Sequence, residues 1–163
     1  MLTFMVQNPK LKREHYPNVL YRVHLPGISQ TSYSHNMGFK CSARGHIDIC
    51  NYGDLAGCLS SHLDNDPNQA SHFISMFGSR DHAVHWARLK LRHGHATSAM
   101  VMEINPAEIK NVLGRSIPIL KVSDVVEMYP EMIPYGADER WFDDEYLALY
   151  KVPAQAISKC YCI

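Results

Sequence analysis

Short apolar runs of strand length, irregularly interleaved with amphipathic helices, constrain this chain more than any other feature. Residues 19–24 (VLYRVH), 72–77 (HFISMF), 97–104 (TSAMVMEI), 117–122 and 146–152 read as strands, because apolar runs this short between Gly, Pro, Asn and Ser suit strands better than helices. Alternation puts Leu20, Arg22 and His24 on one face. Between Pro26-Gly27 and Asn51 the chain is rich in Ser, Gly, His and Asn and reads as a long loop bearing Met37-Gly38-Phe39. Asn51 caps a helix with Leu55, Ala56, Leu59 and Leu63 on one stripe, ended by residues 64–68. Ser79, after Gly78, caps a second helix that runs to about His93 and stops at Gly94, with Ala83, Val84, Ala87 and Leu91 inward.

Asn105-Pro106-Ala107-Glu108 joins a cap, a first-turn proline and a capping-box acid, so a third helix is predicted there. Ser123 is expected to cap a brief fourth, and residues 129–141 form an irregular connection. Helices and strands without regular βαβ alternation point to an α+β fold with antiparallel sheets. A length of 163 residues suits one domain, 1–163, with residues 1–17 as an N-terminal extension.

Sixteen basic and sixteen acidic side chains cancel, so no global field favours nucleic acid or an anionic membrane. With 46% apolar and 20% charged residues, the chain is neither disordered nor membrane-like in composition. Five cysteines, an odd number without a C-x-x-C pair, fit reduced thiols better than a disulfide framework. No signal-peptide pattern or bilayer-length apolar run occurs, so a cytoplasmic location is expected. The ending Cys160-Tyr161-Cys162-Ile163 loosely matches a prenylation box, but Tyr replaces an aliphatic residue and no polybasic stretch precedes it.

Three segments set a polar residue in an apolar strand context: Leu20-Tyr21-Arg22-Val23-His24, Phe73-Ile74-Ser75-Met76-Phe77, and the run from Asp143 through Glu145 to Tyr150. In this order, with Gly38-Phe39 after the first, a helix after the second and Pro153-Ala154-Gln155-Ala156-Ile157 after the third, the chain resembles the cholera-toxin-like ADP-ribosyltransferases, nearest in style to the branch containing pierisin and scabin. The resemblance covers residues 20–157. It implies a split antiparallel β-sheet core flanked by helices, and a site for NAD built from Arg22, Ser75 and Glu145. Glu145 is then expected to hold the ribose and stabilise an oxocarbenium-like state, Ser75 to orient that carboxylate, and Arg22 to grip the phosphates. Phe39 and Phe77 are the candidates to stack on the nicotinamide. Two departures stand out. Ser75-Met76-Phe77 keeps only the first hydroxyl of the family's Ser-Thr-Ser, and Asp143 stands where arginine-modifying members carry Glu or Gln.

The resemblance further implies that the connection into Glu145, with Tyr135, Trp141 and Asp143, faces the acceptor. That acceptor is a protein, a small molecule or water, with nucleic acid less favoured for a neutral chain. The alternative is a domain that keeps this fold without turnover and serves as a binding module. No metal is expected: His82 and His85 lie one helical turn apart with His93 and His95 beyond, but neither a cysteine pair nor a carboxylate stands at zinc spacing. The basic run from Arg80 to His95 reads as a solvated helix face, Trp86 as partial core, and Cys41 beside His46 as a buried thiol rather than a nucleophile.

Overall fold

The computed structural model describes residues 4–64 and 68–163. Among the described residues nine strands form two antiparallel sheets. The larger runs in the order β6 (Ile119–Lys121), β7 (Glu145–Leu149), β4 (Phe73–Phe77), β1 (Leu20–His24), β5 (Met100–Ile104) and β9 (Ile157–Cys162). The smaller joins β2 (Ser32–Ser34), β3 (Gly38–Lys40) and β8 (Lys151–Val152). The α+β class with antiparallel pairing is therefore the observed one.

The alternation in β1 is real. Leu20 joins the main core with Phe39, while Val23 faces the other side, toward Ala83 and Ala87 of α2 (Arg80–Arg92). Helix α1 (Tyr52–Leu63) buries Leu55, Leu59 and Leu63, and Asn51 caps it by accepting from the Asp54 amide. Its expected terminator at 64–68 lies partly outside the described residues. Ser79 caps α2, accepting from the His82 amide, and Gly94 follows at φ 69°.

Several expectations fail for tertiary reasons. The stretch between Gly27 and Asn51, a long loop by its sequence, contains the β2–β3 hairpin, because Phe39 is pulled fully under the large sheet and β8 pairs with β3. Gly38 makes that pairing feasible: it sits at φ +79°, and a Cβ there would lie 2.2 Å from the Val152 carbonyl oxygen. The helix start at Asn105 yields one 3-10 turn, Pro106–Glu108. Asn105 does cap the Ala107 amide, but Ile109 drops into the core and accepts from Ile117, which turns the chain back. Ser123 lies inside α3 (Val122–Met128), whose N-cap is Lys121. The last strand breaks at Tyr150, φ 67°, into β7 and β8, and the C-terminal residues add an edge strand, β9, beside β5. The extension is not detached: Val6 donates to Cys50 and Leu11 to Ile119.

Candidate active site

Strands β1, β4 and β7 are neighbours, and each delivers one of the three candidate polar residues to the same cleft. Arg22, Ser75 and Glu145 line it together with His62 of α1, Trp86 and Lys90 of α2, and Phe77 and Trp141. This cleft offers about 130 Å³ of room, and it opens into a groove of about 630 Å³ that shares Arg22, His62, Ser75, Trp86 and Lys90.

Arg22 is 9% exposed. Its Nη1 donates to the Ser75 carbonyl at 2.9 Å and the Ser75 hydroxyl at 3.2 Å, while its buried Nε has no protein partner. Burial lowers the guanidinium from its ordinary value to about 10, and Glu145 acts in the opposite direction by favouring the charge. The guanidinium carbon lies 5.4 Å from the centre of the Phe39 ring. Phe39 itself is fully buried against Tyr33 and His24, so it supports the arginine from below and has no face for a nicotinamide. Phe77 keeps its place in the cleft wall, packed on Trp86 and Trp141.

The expected hydrogen bond from Ser75 to Glu145 does not form. In the β4–β7 register Glu145 stands opposite Phe77, two residues along from Ser75, and the hydroxyl accepts from Arg22 instead. Glu145 Oε1 faces His62 Nε2 at 3.6 Å, and His62 Nδ1 meets the Ser71 hydroxyl at 2.7 Å. The Ser71 hydroxyl also accepts from the Phe73 amide at 3.0 Å and reaches the Phe73 carbonyl as donor at 3.4 Å; when it donates there, Nδ1 of His62 is the donor to Ser71 and Nε2 faces the carboxylate without a proton. Sequence reasoning missed His62; it flanks the buried Leu59–Leu63 stripe and carries no motif of its own.

Asp144 explains how Glu145 is held. Its side chain accepts from the Ser79 amide at 3.0 Å and lies 2.7 Å from His82 Nδ1, while its carbonyl accepts from Gly78. A Cβ on Gly78 would sit 2.7 Å from an Asp144 carboxylate oxygen, so a side chain there would push this carboxylate aside. The start of β7 is thereby pinned to the end of β4.

The connection before it divides. Trp141 lines the cleft and packs on Phe77, His82 and His85, and Phe142 is buried. Tyr135 is fully exposed and Asp143 is exposed, and neither lines the cleft. Asp138, in the same connection, is spent internally, since Arg140 binds it through two side-chain hydrogen bonds and lowers its pKa. Trp86, expected as partial core, both packs against the core and lines the cleft. Burial raises the Cys41 thiol, which donates to the Ala43 carbonyl and is no activated nucleophile. Among the described residues no three His, Cys, Asp or Glu side chains are placed to hold a metal, and no helix is long and apolar enough to cross a membrane.

A family model described as a domain of unknown function, DUF7587, matches residues 15–163. No curated protein matches the sequence. Among solved structures, the chain is similar to EcPltA, an ADP-ribosyltransferase toxin subunit, at 16% identity and a TM-score of 0.57, over 90% of this chain and 75% of that one. At that identity the likeness concerns the fold, which is ADP-ribosyltransferase-like.

Proposed function

This chain belongs to the DUF7587 family, whose function is unknown, and we propose that it acts on NAD at the nicotinamide–ribose bond. ADP-ribose then passes to a protein or small-molecule acceptor, or to water. The observation that carries this reading is the meeting of Arg22, Ser75 and Glu145 in one cleft of an ADP-ribosyltransferase-like fold.

Arg22 suits a phosphate-binding role. It is nearly buried, costs stability to keep charged, and commits only one terminal nitrogen to Ser75. A buried cation with a spare donor is the group an anionic ligand completes. Glu145 supplies the negative charge that would stabilise positive charge growing on the ribose as the C–N bond breaks and its electron pair leaves with nicotinamide. A nucleophile from the acceptor, or water, then bonds to the ribose carbon and gives up its proton. His62, beside Glu145, is the neighbour able to take or hold that proton. The adjoining groove of about 630 Å³ is of the size that holds a dinucleotide-sized ligand. Trp141, at the cleft edge, is the residue of the preceding connection best placed to meet an acceptor.

A second reading, a binding module without turnover, draws support from one contact: Ser75 supports Arg22 rather than Glu145. Nicotinamide release from NAD separates the two. The enzyme reading expects measurable release that falls at least about a hundredfold in Glu145→Gln, with NAD affinity changed far less. Binding of NAD with equal, background release in both proteins would establish the module.

A further inference from the structure

The small sheet has two unlike faces. Tyr33, Phe39 and Val152 turn inward, and alternation sends Ser32, Ser34, Lys40 and Lys151 outward. The outward face forms one wall of an open cleft of about 910 Å³, and the loop carrying Arg44 and His46 forms the other. Lys40 pairs directly opposite Lys151 across β3 and β8. Like charges in that arrangement destabilise a sheet. No carboxylate lines the cleft, and neither lysine nor Arg44 makes an ion pair among the described residues.

The opposite wall is held in place. The Tyr150 hydroxyl accepts from the Ile47 amide at 2.8 Å, the Cys41 amide donates to the Tyr150 carbonyl, the Ala43 amide to Ser71, and the Arg44 carbonyl meets His72 Nε2. Arg44 therefore starts from a backbone tied to the core at several points. The Ser34 hydroxyl oxygen accepts from the Met37 amide, which leaves its proton free to donate into the cleft.

We propose that this cleft is a binding site for a polyphosphorylated small anion, a molecule carrying at least two phosphate groups. Three permanent cations on two walls call for a ligand with charge at more than one point, and the room exceeds what one phosphate fills. Bound phosphate would also relieve the Lys40–Lys151 repulsion, so the protein gains stability as well as a ligand. The cleft shares no lining residue with the Arg22 cleft or its adjoining groove, and the inference does not rest on the NAD reading.

The test is calorimetric titration of the whole chain with inorganic triphosphate and, separately, with inositol hexakisphosphate, at about 50 and about 300 mM salt. Saturable one-site binding is expected, weakened by salt and reduced at least about tenfold in the double variant K40Q/K151Q, but kept in Arg22→Met. In the wild type, the ligand should also shield Lys40 and Lys151 from amine acylation, a readout that needs no variant. Absence of binding at low salt, binding indifferent to K40Q/K151Q in a folded variant, loss in Arg22→Met instead, or unshielded lysines would each overturn the site.

Discussion

Replacing Arg22 by methionine separates a residue kept for a ligand from one kept for the fold. Burial lowers the guanidinium from its ordinary range to about 10, and at about 1.4 kcal/mol per pH unit that costs the charged form roughly 3 kcal/mol. Methionine fills similar space without the charge. Against the relief stands the loss of the two hydrogen bonds to Ser75, which leaves a buried acceptor unmatched at about 1–2 kcal/mol. The balance favours the variant by about 1–2 kcal/mol, so its Tm without ligand should rise by about 2–6 °C for a chain of this size. Because the folded value is depressed, the penalty is fully present below about pH 10 and fades only as pH rises above it toward the ordinary arginine range, so the gain should be flat from about pH 7.5 to 9, above the region where the neighbouring His24 titrates. The assays are thermal unfolding followed by circular dichroism and NAD binding by calorimetry. A residue serving as an ordinary buried ion-pair partner would instead cost about 3–5 kcal/mol when removed. A Tm drop of about 6 °C or more in Arg22→Met, or intact NAD affinity beside a raised Tm, would refute the reasoning.

Trp141→Ala should lower transfer of labelled ADP-ribose to protein while slow NAD hydrolysis persists, whereas Asp143→Ala, exposed and outside the cleft, should leave both unchanged. Loss of both signals in Trp141→Ala would move that residue to NAD binding. Gly38→Ala should cost roughly 3 kcal/mol or more, since its new methyl meets the Val152 carbonyl and its φ is positive; a urea midpoint close to wild type would contradict the described β3–β8 packing. Burial, aided by Arg22, lowers the His24 pKa, so the stability it contributes is present above its unfolded value near 6.5 and is lost as pH falls through that region toward the folded value. His24→Phe should therefore show a smaller fall in Tm between pH 7.5 and 5.5 than wild type, and equal falls would exclude the imidazole as the cause.

The sequence by itself determined the elements whose signal is local. Asn51 and Ser79 mark helix starts because their side chains cap nearby amides, and the face of Leu20, Arg22 and His24 follows from the two-residue period of a strand. The three polar residues in apolar strands were visible as well, because a polar group inside such a run needs a partner or a purpose once it is buried, and the three stand in the order the resemblance expects. Only the tertiary structure decided what those residues touch. Register put Glu145 opposite Phe77 and beside His62 rather than Ser75, and burial took Phe39 away from any ligand. The β2–β3 hairpin and the edge strand β9 had no clear pattern of their own and exist because β8 and β5 offer them unpaired backbone. Asn105 shows the same limit from the other side. Its capping signal was sound and made the turn it promised, but burying Ile109 was worth more than another turn of helix, and that balance is set by neighbours far away in the chain.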